Sequence, residues 1–327
     1  MAVNSLKILL WNARSVRAKK IELTDFLQSH SIDVGILTET CLTPTVNFSI
    51  GDYTTIRLDR VHSCGGGVAL IVRKGIKFNT LKHCNTKLIE SLPIEVHLTR
   101  GKIKIIAVYI ARQCTDISGD SRTFKNDLAK LTRGHGNYII GGDLNARHEL
   151  WGNIRRNKNG SLLADDALLG YYTVNFPDEP TYLAHNGSAT TLDIFLTNVT
   201  ISKPVVYSEL SSDHYPVICE MADRIIPVQK TARKDYHHVD WNHFRRLVDA
   251  SIEENPVLLT SEDIDRALIR LQSAIMEADS ICVRKIYVQG KHVAIDSHTR
   301  YLIRIRNILR RQFQRSGDLE KKAAEKR

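Results

Sequence analysis

The chain has 327 residues, 43% hydrophobic and 25% charged, with a net charge of +10, an ordinary globular composition with room for one large domain and a smaller one. Its longest apolar runs, such as Ile103 to Ile110 with Lys104 inside it, fall short of the roughly 20 residues that a membrane helix requires. Six cysteines, at 41, 64, 84, 114, 219 and 282 with no C-x-x-C pair, exclude a zinc ribbon and a disulfide framework and read as buried thiols.

From the N-terminus, "MAVNSLKILLWNARS" has an apolar run of only about five residues and no small-residue cleavage site, so it is not a signal peptide. An intracellular protein is expected. "KILLWNA" reads as the first strand, and "RAKKIELTDFLQSHSID", apolar at 21, 23, 26 and 27, as a helix packed on a sheet. The strands "VGILTET", "GVALIVRK" and "KIKIIAVYIA" follow, then a helix from Ser121 to about Leu131, then "NYIIGGDLNA", "TLDIFLTN" and "YPVICEM". A mixed two-layer β core of about ten strands flanked by helices is predicted, an α/β class. The glycines of "CGGGVALIVRKG" precede a strand and lack a following G-K-[ST], so they form a turn and not a phosphate loop. Residues 1–223 are taken as one domain and 224–327 as a helical, basic connector.

Within that connector, Trp241, Phe244, Leu247 and Val248 are spaced for one helix. Thr260 and Asp263 are placed to cap a second, with Ile264, Leu268, Leu271 and Ile275 as its apolar stripe. A third runs from about Ser297 to Arg315, with Leu302, Ile305, Leu309 and Phe313 on one face. Residues 300–327 carry ten Lys/Arg against three Asp/Glu, so most of the excess charge sits in this tail. The tail's cations either meet nucleic-acid phosphates or surround an apolar face that another domain covers. His237, His238 and His243 near Asp235 and Asp240 imitate metal spacing, but a solvated helix start explains them.

Polar residues recur at the ends of the apolar strands: Asn12, Glu39, Tyr109, Asp143 with Asn145, Asp193, and Asp213 with His214 in "SSDHYPV". Strand ends on one edge of a sandwich gather at one cleft, and this set has what metal-assisted phosphodiester hydrolysis requires. Glu39 is a hard-oxygen ligand for Mg²⁺. Asp143 with Asn145 can orient a water. His214 can bind or deprotonate near the phosphate, with its tautomer set by Asp193. Asn12, Asn145 and Tyr109 offer donors to charge on the phosphoryl oxygens.

"LLWNARS", "ILTETCL", "AVYIA", "GGDLNARH", "TLDIFLTN" and "SSDHYPV" resemble the ordered motifs of the endonuclease/exonuclease/phosphatase superfamily over roughly residues 5–222. "GGDLNARHELWGN", "NKNGSLL" and "DEPTYLAHNGSATTLDIFL" resemble more narrowly the endonuclease domain of non-LTR retrotransposons, jockey-like elements in particular. The resemblance implies a four-layer, DNase-like α/β sandwich followed by a helical C-terminal region that leads to a reverse transcriptase. It implies a Mg²⁺-dependent hydrolase, with Mn²⁺ as the alternative ion, that nicks double-stranded target DNA and leaves a 3′-hydroxyl to prime reverse transcription. Element RNA and a downstream reverse transcriptase are the implied partners, with nuclear access but no clear targeting signal and no membrane.

By motif position the resemblance makes Glu39 the metal ligand, Asp213 a further acid at the metal edge, and Asn12 a neighbour of metal and phosphate. It makes Asp143 the water-orienting acid beside Asn145, Asp193 the partner of His214, Tyr109 a contact to the scissile phosphate, and Thr190 a hydroxyl on the strand of Asp193. In retrotransposon nucleases the hairpin matching "LAHNGSA" leans into the DNA groove, which puts His185 and Asn186 at DNA; their plain reading is a hairpin tip. Arg14 departs from many abasic-site enzymes, which have a small or acidic residue there. It touches DNA phosphate or is solvated. The alternatives are a host abasic-site repair enzyme, against which the connector argues, and a remnant that only binds nucleic acid, against which the filled candidate positions argue.

Overall fold

Strand β1 (Leu6–Asn12) sends Leu6, Ile8 and Leu10 to one side and Leu9 and Trp11 to the other, and all five are fully buried. A strand alternates its side chains between two faces, so a run buried on both belongs inside a layered structure. The computed structural model describes residues 5–60, 65–84, 86–111, 121–132, 134, 136–184, 186–227, 233–252, 256, 258–286 and 295–316. After β1 come α1 (Lys20–Ser29), β2 (Val34–Thr38), β3 (Tyr53–Leu58), β4 (Val68–Arg73), β5 (Phe78–Thr80), β6 (Glu90–Leu98) and β7 (Gly101–Tyr109). Then follow α2 (Ser121–Thr132), β8 (Asn137–Asp143), α3 (Lys158–Leu168), β9 (Thr173–Asn175), the short β10 (Tyr182–Leu183) and β11 (Ala189–Thr190), β12 (Asp193–Thr197), β13 (Val205–Val206) and β14 (Val217–Met221).

Two six-stranded sheets result, ordered β13-β14-β1-β2-β4-β3 and β5-β6-β7-β8-β12-β9, so the core holds more strands than the sequence leads one to expect, because short edge strands carry little apolar signal. Ile8, Leu10, Ile36 and Leu70 of the first sheet meet Ile94, Ile105, Ile139 and Phe195 of the second. On the outer face of the first, Leu9, Trp11 and Ile71 pack with Leu23, Phe26 and Leu27 of α1. On the outer face of the second, Val108, Ile140 and Ile194 pack with Phe124 and Leu128 of α2 and Leu163 of α3. Helix, sheet, sheet, helix is the four-layer sandwich. Ile21 of α1, expected to be buried with its neighbours, is instead 57% exposed.

Gly142 shows why "GGD" is glycine-rich: a Cβ there would lie 1.8 Å from the Val108 carbonyl oxygen of the adjacent strand. Trp151 is 1% exposed and donates from Nε1 to Ala146 O (3.1 Å), which makes it core and not a DNA contact. Cys219 is buried, whereas Cys41, Cys84 and Cys282 are only half-buried, and all four are free thiols; Cys64 and Cys114 lie outside the described residues. No helix among the described residues is long and apolar enough to cross a membrane.

The C-terminal region contains β15 (Arg233–Lys234), α4 (Trp241–Ser251), α5 (Ser261–Cys282), β16 (Lys285–Ile286) and α6 (Ser297–Ser316). Two compact units divide the chain: residues 1–228 with 291–327, and residues 229–290. In the smaller unit Asp240 caps α4 through the amides of Asn242 and His243, and Thr260 with Asp263 forms a capping box on α5. The expected stripe of α5 is not its buried face: Ile264, Leu268, Leu271 and Ile275 are all exposed, and Ala274 and Ala278 are buried. Helix α6, read in sequence as the end of a connector, belongs to the same unit as the sandwich, and its buried residues are Asn307 and Arg311. Leu302, expected on its packed face, is 51% exposed.

Candidate active site

Strand direction gathers the polar residues. β1 runs parallel to β2, and β7 parallel to β8, so Asn12, Glu39, Tyr109 and Asp143 lie at or just past the C-terminal ends of strands. β14 is antiparallel to β1 and β12 antiparallel to β8, so their starts fall on that same edge. Asp193 opens β12 directly opposite Asp143, and Asp213 and His214 precede β14.

Asn12 is fully buried and its Nδ2 donates to both Glu39 Oε1 (2.9 Å) and Asp143 Oδ2 (2.8 Å), while its Oδ1 accepts from Arg14 N (3.1 Å). One amide therefore holds two carboxylates together. Burial, then the charges of Glu39 and Asp143, push the Tyr109 phenol far up, so it stays a donor. Asn145 donates from its backbone to Asp143 Oδ1 (2.9 Å) and from Nδ2 to Ile110 O (2.8 Å), so part of the amide expected to face phosphate is anchored in the fold.

His214 Nδ1 lies 2.8 Å from Asp193 Oδ2, and Nε2 lies 3.7 Å from Asp143 Oδ2. With Asp193 ionised, Nδ1 carries the proton of that bond. Burial opposes the imidazolium, but the charge and hydrogen bond of Asp193, then Asp143 and Asp213, outweigh it and raise His214 to about 9. Burial pushes the Asp143 carboxyl up to about 7, with His214 pulling against it. The turn is pinned by Trp11 Nε1 donating to His214 O (3.2 Å) and by Ser212 Oγ, which donates to Asn12 O (2.9 Å) and accepts from His214 N (3.2 Å).

Backbone strain concentrates here. Among the described residues six non-glycines have positive φ, and Arg14, Ser15, Glu39, Cys41 and Asn145 are five of them, at 41°, 78°, 48°, 50° and 44°. Asp213, read from the resemblance as an acid at the metal edge, pairs with the guanidinium of Arg14. Arg14 is thus neither solvated alone nor turned wholly to the outside. Thr190 ends β11 with its hydroxyl buried and without a hydrogen-bond partner. Asn186 is at the hairpin tip, where its Oδ1 accepts from Ser188 N (3.1 Å) and Oγ (2.8 Å), an Asx-type turn. His185 lies outside the described residues.

A cleft of about 170 Å³ is lined by Arg14, Glu39, Tyr109, Asp143, Asn145 and His214, and also by Arg147, Tyr182 and Leu192. Sequence reasoning missed these last three. Tyr182 packs on His214 with ring centroids 4.7 Å apart, and its neighbour Thr181 accepts from Asp193 N (3.1 Å). Their only signal was position: Arg147 stands in "GGDLNARH", Tyr182 in "DEPTYLAHNG" and Leu192 in "TLDIFLTN", each close to a candidate residue. Asp143, Asp193 and His214 bring ligand atoms within 4.8 Å of one another. Because Asp193 occupies His214 Nδ1, that trio reads as a hydrogen-bonded relay. The paired carboxylates of Glu39 and Asp143, hard oxygens on one amide, fit a hard dication better.

Residues 103–218 match the profile of the family described as endonuclease-reverse transcriptase. The RNA-directed DNA polymerase from mobile element jockey of Drosophila melanogaster is 29% identical over 330 residues, covering 97% of this chain and 35% of that protein. A probable RNA-directed DNA polymerase from transposon X-element of the same species is 27% identical over 322 residues, covering 95% and 35%. This chain thus spans about a third of the length of the curated relatives it matches. The endonuclease domain of TRAS1, a telomere-specific non-LTR retrotransposon, superposes with a TM-score of 0.54 at 16% identity, over 68% of this chain and 99% of that one. The AP endonuclease LMAP from Leishmania major does so at 0.52 and 14%, over 67% and 88%. At such identities the superpositions speak for the fold, which is that of the endonuclease/exonuclease/phosphatase nucleases and phosphatases. Over residues 103–218 the chain is similar to the endonuclease-reverse transcriptase family, and over nearly its whole length to about a third of the polymerases from jockey-like mobile elements.

Proposed function

We propose that this chain is the Mg²⁺-dependent endonuclease of its element, nicking double-stranded target DNA to leave a 3′-hydroxyl that primes reverse transcription by a polymerase in the same polyprotein. The observation that carries the reading is the single Asn12 amide joining Glu39 to Asp143, with Asp143 facing a His214 that Asp193 holds. Glu39 would hold the ion, with the Asp143 carboxylate beside it; Mg²⁺ bound there supplies neutralisation of phosphate charge. Mn²⁺ offers similar charge and oxygen preference.

His214, raised to about 9, is an imidazolium at neutral pH and offers Nε2–H to a phosphoryl oxygen. Asp143, raised to about 7, is suited to orient a water and take its proton, since a base works best near the operating pH. Tyr109 and Asn145 donate to the phosphate oxygens. Asp213 holds Arg14 at the cleft, from which the guanidinium can turn to a DNA phosphate. Thr190, His185 and Asn186 remain the proposed DNA-side contacts, element RNA the proposed further partner, and the nucleus the proposed site of cutting. Residues 1–223 are the proposed endonuclease domain, and 224–327 the segment that leads toward the polymerase.

Purified protein is expected to nick supercoiled plasmid with Mg²⁺, to stop in EDTA, and to leave ends that a DNA polymerase extends. Glu39→Ala should lower the rate by at least about 100-fold. Undiminished cleavage by that variant would remove Glu39 from the metal site. Extension failing on nicked DNA would overturn the priming role.

A further inference from the structure

We propose that α6 is a strap that positions the turn carrying Asp213 and His214, with Arg306 as a positioning residue acting through Glu22. Arg306 Nη2 donates to Glu22 Oε2 (2.6 Å), and the other oxygen of Glu22 accepts from the backbone N (3.3 Å) and hydroxyl of Ser211. Glu22, on α1, is 6% exposed, so this carboxylate is buried against the turn at Ser211 with its cation supplied from α6. Asn307 donates to Glu209 O and Arg311 to Leu210 O (3.4 Å). Arg311 also lies over the Tyr215 ring, 4.6 Å from its centroid. Residues 209, 210, 211 and 215 are therefore each gripped from α6, directly or through Glu22, and Asp213 and His214 lie between them.

The two buried residues of α6, Asn307 and Arg311, are polar, while Ile305, Leu309 and Phe313 are only half-buried. Arg300 forks onto both oxygens of Asp25 (3.1 and 2.7 Å), one turn from Glu22 on α1, and Asn307 and Arg311 follow along the same side of the helix. An apolar stripe could slide by a fraction of a turn, whereas directed bonds to carbonyls and carboxylates fix both register and rotation. A shift of about 1 Å in a catalytic group can cost 100-fold in rate, which is the scale of displacement such bonds resist. The catalytic meaning of the strap rests on the nuclease reading, while the strap itself does not.

The test uses the full chain and three variants: Arg306→Ala, Arg306→Lys, and Arg300→Ala, which cuts a comparable ion pair that does not reach the turn. Steady-state nicking, thermal unfolding and amide hydrogen exchange over residues 209–215 are measured on each. Arg306→Ala is expected to lower kcat about 10- to 100-fold with KM for plasmid within about twofold, and to speed exchange in 209–215. Arg306→Lys should fall between it and wild type. Arg300→Ala should lower the Tm but keep wild-type kcat. If Arg306→Ala fails to fold, Arg306→Lys decides: reduced kcat at unchanged KM supports the strap, and wild-type kcat with wild-type exchange overturns it. Arg306→Ala behaving like Arg300→Ala would also overturn it. A wild-type chain that does not nick defeats the nuclease reading, and exchange over 209–215 then decides the strap alone.

Discussion

Asp143 is buried between an amide and an imidazole, and its position has a cost that pH should reveal. Its carboxyl is raised from 3.8 to about 7 by burial, so ionising it in the folded state removes stability as pH climbs through that interval. His214 is raised from 6.5 to about 9, burial opposing and Asp193 prevailing, so its contribution is complete below 6.5 and is lost as pH rises through 9. Both act in one direction. Without divalent ions, the Tm is expected to fall from pH 5 to pH 9, and Asp143→Asn should flatten the part below about pH 7 while abolishing nicking. Calorimetry across that range checks it; a Tm that rises with pH would contradict both shifts. Asp193 and His214 act as one hydrogen-bonded unit (2.8 Å), so Asp193→Asn, His214→Ala and the double variant should each lose a similar factor, about 100 to 10,000-fold. Multiplicative losses in the cycle would separate them. At this scale the residue types were legible, since Asn12, Glu39, Tyr109, Asp143, Asp193 and His214 all stand at strand ends in the sequence. Which of them touch was not. The Arg14–Asp213 pair joins residues 199 positions apart, and no local pattern announces it.

Among the elements, the strands read from sequence (β1, β2, β4, β7, β8, β12 and β14) are the ones buried almost throughout, which write continuous apolar runs, whereas β3, β5, β6, β9 and β13, partly exposed or interrupted by polar residues and proline, were not read. Thr190 was read as lying on the strand of Asp193, but β11 ends at Thr190 and β12 begins at Asp193, whose amide donates to Thr181. The break matters, since it turns the carboxylate toward β8 and His214. Gly142 lies at the mouth of the same site, where β7 and β8 approach too closely for a side chain. Gly142→Ala is therefore expected to destabilise by about 3 kcal/mol or more, through the overpacking that a backbone neighbour cannot relieve, and denaturant unfolding would measure it. A loss below about 0.5 kcal/mol would mean that the strands can part. Capping was legible to the residue, as Thr260 and Asp263 show. The buried face of α5 was not, because its leucines and isoleucines point to solvent and two alanines are covered.

For the whole molecule, charge is the quantity that changed meaning. The basic tail read either as a nucleic-acid contact or as a face covered by another domain; of its ten cations Arg300 and Arg306 are held by Asp25 and Glu22, and Arg311 by a carbonyl and a tyrosine ring, while residues 317–327 lie outside the described residues. A cation already paired releases few counterions on binding DNA. Replacing Arg300 and Arg306 together should therefore leave the salt dependence of DNA binding nearly unchanged, instead of lowering its slope by about 0.9 for each lost phosphate contact. A filter-binding or anisotropy titration at several salt concentrations tests this, and a slope reduced by nearly two would return the tail to the DNA.

By itself the sequence determined the layered α/β class, the chain order of its most buried strands, the capping box of α5, and the residue types at the cleft. Those are local properties: periodicity, turn chemistry and the polar residue that follows an apolar run are all written in neighbouring positions. Tertiary structure alone decided that parallel strand ends and antiparallel strand starts share one edge, that Asn12 bridges two carboxylates, that Arg14 claims Asp213, and that α6 grips α1 and the His214 turn. Each of these joins groups far apart along the chain. Their strength depends on distance and burial, which exist only once the sheets have closed on one another.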